Sequence, residues 1–323
     1  MGLALVHSRA GVGVAAPAVT VEVHLGNGLP RMSLVGLPET ALREAKDRVK
    51  AALLNANFTF PANLITISLT PAVLPKEGSR FDLAIALGIL AASGQVPDDN
   101  FQQFEFIGEL SLSGELNPVK GVLPVALQAK EAGRGLIVPR GNGAEAALAK
   151  GPRQFEAPSL LSVVAWLNGQ EELPATVANP DITVHRCKDM ADVIGQPFAR
   201  RALEVAAAGG HNILLTGPPG TGKTMLASRL PGILPPLTER EALEAAAVSS
   251  ISQVGLDLKH WRVRSFRAPT IQQALSHLSA AVPNRAPVKY PWHITVSCSW
   301  MNYRSSAGMS WKYSANRWSQ GES

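Results

Sequence analysis

The stretch HNILLTGPPGTGKTMLASRLPGIL (residues 211–234) decides how the second half of this chain folds. Its centre, GPPGTGKT (217–224), fits the phosphate-binding pattern G-x-x-x-x-G-K-[ST] in full. The apolar run 213–215 precedes the loop, and residues 225–230 follow it with the character of a helix. The stretch therefore predicts a strand, a P-loop and a helix, which is the beginning of an α/β nucleotide-binding domain.

The chemistry of the loop follows from its residue types. Glycines let the backbone wrap closely around phosphates, so that successive N–H groups point inward. The lysine is expected to pair with the β- and γ-phosphates, and the threonine hydroxyl of Thr224 to ligate Mg²⁺. We therefore expect ATP and Mg²⁺ as cofactors and assign ATP binding to Gly217, Pro218, Pro219, Gly220, Thr221, Gly222, Lys223 and Thr224.

Hydrolysis requires a further acidic residue, at the end of a neighbouring strand, that holds Mg²⁺ and helps to position the attacking water. The acids that follow the loop are Glu239, Glu241, Glu244, Asp257 and Glu322. None of these acids ends an apolar, strand-like run. We therefore predict that the chain has no Walker B acid and no catalytic residues for ATP hydrolysis.

The first 169 residues alternate between strand and helix patterns, which predicts a separate α/β domain. Strands are predicted at 19–27, 64–71 and 135–139, a hairpin at 106–116, and helices at 38–56, 81–93, 119–132 and 159–169. Residues 170–185 are acidic, contain prolines and lack periodicity, as in a linker. A helix at 190–210 is predicted to open the second domain.

The composition is that of a soluble globular protein, with 46% hydrophobic and 17% charged residues. No apolar run has the length of a membrane span, and the N-terminus lacks the pattern of a signal peptide. Cys187 and Cys298 lie far apart without metal-ligand spacing, so we expect reduced thiols in a cytoplasmic protein. The basic balance is local, because residues 259–322 carry +8; subtracting this from the net +5 leaves −3 for residues 1–258.

Four stretches resemble the ComM/YifB-type magnesium-chelatase-like AAA+ proteins: GLPRMSLVGLPETALREAKDRVKAAL, LTPAVLPKEGSRFDLAIALGILAAS, DVIGQPFARRALEVAAAGGHNILLTGPPGTGKTMLASRLPGILPPL and WRVRSFRAP. The resemblance implies a Lon-protease-like α+β domain at 1–169, a linker at 170–185 and the N-terminal part of an AAA+ P-loop domain at 186–269. It also implies a homo-hexamer that acts on DNA. In such proteins Val193, Ile194 and Gln196 are expected near the base of the nucleotide.

The Lon-like domain raises the alternative of a Ser–Lys protease, which needs a serine nucleophile close to a lysine base. The Lon pattern P-K-D-G-P-S-A-G aligns with PKEGSRFD and puts Arg80 at the nucleophile position, while Leu123 stands at the lysine position. Ser79 is one residue out of register, and Lys76 and Lys120 are expected to be solvated surface residues. We therefore predict a scaffold or regulatory domain, not a protease.

Residues 270–323 depart from the family pattern, which continues with an apolar strand that ends in Asp-Glu. WMNY (300–303) can be encoded only as TGG ATG AAY TAY, and reading from the third base gives GAT GAA YTA, which is Asp-Glu-Leu. We interpret residues 270–323 as a disordered, out-of-frame tail that truncates the ATPase. The alternative is an evolved aromatic and basic tail that stacks on single-stranded nucleic acid.

The leading hypothesis is an ATP-binding protein related to ComM helicase and branch-migration factors of competence and recombination, itself unable to hydrolyse ATP. Two alternatives remain open at this point. One is that only residues 1–168 fold and serve as a binding module. The other is a magnesium-chelatase-type motor subunit that inserts metal into tetrapyrroles.

Overall fold

A computed structural model describes residues 2–35, 39–72, 74, 79–178, 188–218, 220–252, 254–264 and 266. The chain divides into two compact units. Unit 1 combines residues 1–185 with residues 236–264, and residues 186–235 belong to unit 2. The tail 270–323 and both cysteines lie outside the described residues. Within the described ranges, no helix is long and apolar enough to cross a membrane.

Unit 1 is built on a mixed β-sheet. The strands of its described residues are β1 Gly2–Arg9, β2 Ala18–Gly26, β3 Arg31–Val35, β4 Leu64–Thr70, β5 Phe104–Phe106, β6 Glu109–Leu110, β7 Leu116–Asn117, β8 Gly135–Pro139 and β9 Gln154–Ala157. Seven of them form one sheet in the order β3-β4-β2-β1-β5-β8-β9. The pairs β4–β2 and β2–β1 are antiparallel and the other four are parallel. Strands β6 and β7 form the predicted hairpin as a separate antiparallel pair.

The helices fall into both units. They are α1 Glu39–Asn55, α2 Asp82–Ala92, α3 Val122–Glu131, α4 Gly143–Ala147, α5 Leu160–Leu167, α6 Pro197–Gly209, α7 Lys223–Ala227, α8 Leu230–Ile233 and α9 Glu239–Ile251. Helices α1 to α5 and α9 belong to unit 1, and α6 to α8 belong to unit 2. Helix α5 is capped at its N-terminus by Ser159, whose side chain and that of Ser162 form a capping box.

The core of unit 1 lies between the sheet and α2. Period-two alternation in β2 buries Val19, Val21, Val23 and Leu25 on one face. Nine of the eleven residues of α2 are buried, in keeping with a sequence that is apolar throughout after Asp82. At Gly88, an added Cβ would lie 2.5 Å from Cγ2 of Val23, so glycine is needed for the helix to approach β2 this closely.

The structure confirms the mixed α/β class and every helix and strand predicted before residue 169. The structure also contains β1, which the sequence does not predict. Its residues alternate between buried and exposed, but Leu3 and Leu5 on the exposed face are as apolar as buried Ala4 and Val6, so the sequence shows no alternation of apolar and polar residues. Strands β3, β5 and β9 are likewise additions; they have five residues or fewer, and such short runs give a weak periodic signal.

The first part of the predicted linker is bound to unit 1. Leu173 is buried, and the Glu156 N–H donates to the Pro174 carbonyl at 2.9 Å. The Thr176 N–H donates in turn to the Gln154 carbonyl at 3.0 Å. Residues 173–176 thus lie along β9 instead of leaving the domain at once.

Unit 2 contains the predicted helix 190–210 as a 3-10 turn at Met190–Asp192 followed by α6. Gly210 caps α6 in the left-handed conformation at φ 62°. The predicted strand 213–215 is not formed, because these residues join no β-ladder within the described part of the chain. A strand needs a hydrogen-bonded neighbour, and unit 2 provides none among its described residues.

Candidate nucleotide-binding site

The P-loop of unit 2 adopts a backbone that depends on its glycines. Gly217, Gly220 and Gly222 have positive φ angles of 149°, 82° and 80°. Residues with a Cβ rarely adopt such angles, so each glycine fits its position. Gly222 is also the N-cap of α7, and the loop therefore leads directly into the helix, as the motif predicts.

Lys223 is the first residue of α7, and its ammonium group is bound by the loop itself. Nζ donates to the carbonyl of Gly217 at 2.9 Å and to the carbonyl of Pro218 at 2.7 Å. The Thr221 hydroxyl lies 3.3 Å from Nζ and donates to the Pro218 carbonyl at 3.0 Å. The one positive charge of the motif is thus held at the loop, where phosphate oxygens would replace carbonyls as acceptors.

The three residues expected near the base have different environments. Gln196 is exposed, and its Nε2 donates to the Thr221 carbonyl at 2.9 Å. Ile194 is 97% exposed, whereas Val193 is buried in the small core of unit 2 with Leu203 and others. The structure therefore brings Gln196 to the P-loop and uses Val193 for packing.

A second contact joins the segment before α6 to the helix after the loop. Arg229 Nε donates to the Asp189 carbonyl at 3.1 Å, and its Nη1 donates to the Met225 carbonyl at 3.0 Å. Residues 189–196 are therefore bound to the P-loop region twice, through Gln196 and through Arg229. The sequence does not reveal these contacts, because each is accepted by a backbone carbonyl that leaves no mark on residue type.

The acids that follow the P-loop belong to unit 1 as far as they are described. Lys150 binds Glu239 at 2.5 Å, and Arg240 binds Glu244 at 3.0 Å. Asp257 binds His260, and this hydrogen bond lowers the pKa of the Asp257 carboxyl. Glu241 completes the capping box of α9 with Thr238, whose backbone N–H lowers the pKa of that carboxyl. Glu322 lies outside the described residues. None of the four described acids ends a strand.

The two positions that align with the catalytic residues of a Ser–Lys protease are occupied by residues of other types. Arg80 Nη2 donates to the Lys120 carbonyl at 2.7 Å, while burial lowers the pKa of the Arg80 guanidinium. Its Nη1 is buried and has no hydrogen-bond partner among the residues that the structure describes. Leu123 is fully buried, Ser79 donates to Glu109, and Lys120 is exposed as expected. Lys76 lies outside the described residues, and among those that are described no serine and lysine meet at these positions.

An ion pair that the sequence does not predict joins buried Asp82 to half-buried Arg48. Asp82 is 1% exposed, and Arg48 Nε donates to its Oδ2 at 2.8 Å. Burial raises the pKa of Asp82 to about 6, since it outweighs the hydrogen bond from Arg48. The signal that could have indicated the pair is an aspartate at the start of a uniformly apolar helix. Among the described residues, no group of three or more His, Cys, Asp or Glu side chains could hold a metal.

Comparison with known proteins gives two family matches. Residues 21–142 match the family described as subunit ChlI of Mg-chelatase. Residues 189–285 match the family described as magnesium chelatase, subunit ChlI. The second match contains the P-loop and continues beyond residue 269, where the sequence predicts that the resemblance ends.

Individual relatives cover most of the chain. Competence protein ComM of Haemophilus influenzae is 52% identical over 288 residues, which is 88% of this chain and 55% of that protein. YifB of Salmonella typhimurium, an uncharacterized protein, is 49% identical over 285 residues, or 88% of this chain and 56% of that protein. The chain thus spans about half the length of these two relatives. Lon protease 2 of Bacillus subtilis is 32% identical over 111 residues, which is 34% of this chain and 18% of that protein.

Proposed function

The chain belongs to the ComM/YifB-type magnesium-chelatase-like family, which has a Lon-like N-terminal domain, and from this premise we propose that its P-loop binds ATP with Mg²⁺. The supporting observation is the loop itself. Its three glycines have positive φ angles, and Lys223 is bound by loop carbonyls at the start of α7. These residues fit a triphosphate, because its oxygens can accept from Lys223 and from inward-facing backbone N–H groups.

The role of each residue in this proposal follows from its chemistry. Lys223 neutralises phosphate charge, and Thr224, in the first turn of α7, ligates Mg²⁺ through its hydroxyl. Gly217, Pro218, Gly220, Thr221 and Gly222 shape the backbone around the phosphates, and Pro219, which lies outside the described residues, is assigned to the site by the motif. When bound, Mg²⁺ neutralises charge on the β- and γ-phosphate oxygens. Gln196 holds the Thr221 carbonyl and so keeps the loop in register with residues 189–196.

We also propose that this chain binds ATP without hydrolysing it. Hydrolysis needs an acid at the end of a strand beside the P-loop. The four described acids after the loop are bound by Lys150, Thr238, Arg240 and His260 within unit 1. No described residue of unit 2 provides a neighbouring strand on which such an acid could sit.

The names of the relatives suggest what ATP binding serves in this family, and we state this as a proposal. One of them is named for competence, and we propose that the intact family machine acts on DNA as a homo-hexamer in the cytoplasm. A metal-insertion motor is the second candidate, which the names of the two matched families favour. The first candidate is favoured by the similarity to the competence protein, because it extends over 88% of this chain and so includes the N-terminal unit as well as the P-loop.

A titration with a fluorescent ATP analogue and Mg²⁺ tests the proposal. The comparison is between the unaltered chain, Lys223→Ala, and Lys188→Ala as a matched control at an exposed lysine of the same unit. Phosphate released over the same period tests the absence of hydrolysis. Steady phosphate release by the unaltered chain that Lys223→Ala abolishes would contradict that second claim.

A further inference from the structure

One peptide unit of unit 1 links the former nucleophile position to helix α9. The carbonyl of Lys120 accepts from Arg80 Nη2 at 2.7 Å. The N–H of Gly121, in the same peptide unit, donates to the Ser250 carbonyl at 3.2 Å. A Cβ added at Gly121 would lie 3.6 Å from Cγ1 of Ile251 and 3.9 Å from Nη2 of Arg80. The C-terminal turn of α9 therefore lies against the backbone that holds Arg80.

The body of α9 packs on α3 through small side chains. Ala242, Ala246 and Ala247 are buried in one hydrophobic cluster with Val122, Val125, Ala126 and Ala129 of α3. Alanines four residues apart lie on one face of a helix, so the two helices can approach closely. Trp261, beyond the end of α9, is 9% exposed and belongs to the same cluster.

Polar contacts hold both ends of the helix. At the N-terminal end, Lys150 Nζ and Glu239 form an exposed ion pair. At the C-terminal end, the Ser250 hydroxyl donates to Glu145. Glu145 also accepts the backbone N–H of Leu123 at 3.0 Å. The Glu145 carboxylate thus joins Ser250 of α9 to the backbone of Leu123, the residue that aligns with the catalytic lysine of Lon.

The sequence reaches α9 only after leaving unit 1. The chain departs after residue 185, forms the P-loop, and returns at Pro236. Pro235 is the last residue before the return and Pro236 is the first after it, and prolines restrict the backbone of such a connection. The segment that follows the P-loop is therefore a part of unit 1 that is joined to it by contacts with α3 and not by adjacent sequence.

We propose that residues 236–264 form a strap that docks on α3 and covers the inactive protease-like position of the N-terminal unit. The docking surface consists of α3, the Lys120–Gly121 peptide and Glu145, and its partner is α9 of the same chain. Three features make the strap releasable. The buried apolar side chains of α9 are alanines, which bury little area each, while the larger side chains of Trp261, Leu256 and Leu258 lie beyond the helix. The ion pair of the strap is exposed. None of the seven strands of the sheet comes from the strap.

Hydrogen–deuterium exchange of the full chain tests the strap. Ala246→Glu places a carboxylate in the cluster with α3, whereas Ala245→Glu makes the same change at an exposed neighbour on the same helix. We expect Ala246→Glu to raise exchange at least about tenfold in residues 118–131 and 239–251. Strands β2 and β4 should exchange as in the unaltered chain, and Ala245→Glu should change neither region.

Ser250→Ala is a milder second variant, because it removes only the hydrogen bond to Glu145. We expect the loss of this hydrogen bond to raise hydrogen–deuterium exchange by about fivefold in residues 118–131 and 239–251. Faster exchange in β2 and β4 with Ala246→Glu would show that α9 is an integral part of the core, and the strap would be refuted. Unchanged exchange at 118–131 in both variants would refute the docking itself.

Discussion

Arg80 and Ser250 are bound to the two ends of one peptide unit, with Arg80 donating to the Lys120 carbonyl and the Ser250 carbonyl accepting the Gly121 N–H. In a Ser–Lys protease, the Arg80 position is that of the nucleophile. Here the residue supports a loop on which a helix from beyond the P-loop rests. The residue that aligns with the nucleophile of Lon therefore has a structural role in this domain.

Restoring the serine alone will not restore proteolysis. Arg80→Ser supplies a hydroxyl, but the lysine position is occupied by Leu123, which is fully buried. We expect no cleavage of a casein substrate by this variant, and a loss of stability of about 0.5–1.5 kcal/mol because one hydrogen bond, to the exposed Lys120 carbonyl, is lost. Urea unfolding measures the loss. Cleavage by Arg80→Ser would show that another base acts at this position.

The buried pair of Asp82 and Arg48 predicts a pH dependence. The pKa of Asp82 is raised to about 6 by burial, above its ordinary value, so the folded chain binds this proton more tightly than the unfolded chain does. The stability that the protonated group contributes is present below about pH 4 and is lost as the pH rises through about 6. The difference in unfolding free energy between the unaltered chain and Asp82→Asn should therefore fall between about pH 4 and about pH 7.

Urea unfolding of both proteins at several pH values measures this difference. A difference that grows with pH would mean that the ion pair with Arg48 outweighs burial, and that the pKa of Asp82 is lowered instead.

Gln196 allows two roles to be separated. If it positions the P-loop, Gln196→Ala should weaken the binding of ATP and of inorganic tripolyphosphate alike, by about five- to tenfold for one lost hydrogen bond. If it contacts the base, only ATP binding should weaken. The bond to the Thr221 carbonyl predicts the first result. Competition against a fluorescent analogue measures both ligands, with exposed Gln170→Ala as the control.

The interpretation of residues 270–323 is tested by the gene. We expect the reading frame shifted by one base to continue the similarity to ComM through residues 288–303. Because the second family match runs in frame to residue 285, the missing base is expected after codon 269 and before codon 288. Resequencing and translation of that frame decide the point. A stop codon in the shifted frame before WMNY, or no similarity to the relatives there, would reject the interpretation.

The sequence predicts the helices and strands of this protein better than it predicts which of them pack against one another. Helix α2 and strand β8 follow from apolar runs and turn residues, and the P-loop follows from a motif whose glycines have one structural use. Helix α9 is also visible as a helix. Its docking on α3 is not, because an alanine face fits many surfaces and only the three-dimensional structure shows which one it meets.

The apolar run before the P-loop shows where a local pattern predicts an element that the structure does not form. Residues 213–215 have the apolar character of a strand, yet the structure forms none there. A local pattern describes what a segment prefers, whereas a β-ladder also requires a neighbour. The same holds for the acids after the loop. The sequence gives their positions, but it does not reveal that Lys150 and His260 bind two of them.

The most direct measurement is the affinity of the chain for a fluorescent ATP analogue in the presence of Mg²⁺. The proposal predicts saturable binding that Lys223→Ala weakens at least about tenfold, because a charge-assisted hydrogen bond to phosphate is lost. Lys188→Ala should bind as the unaltered chain does. Equal binding by all three proteins, or no binding by any, would contradict a nucleotide site at this P-loop.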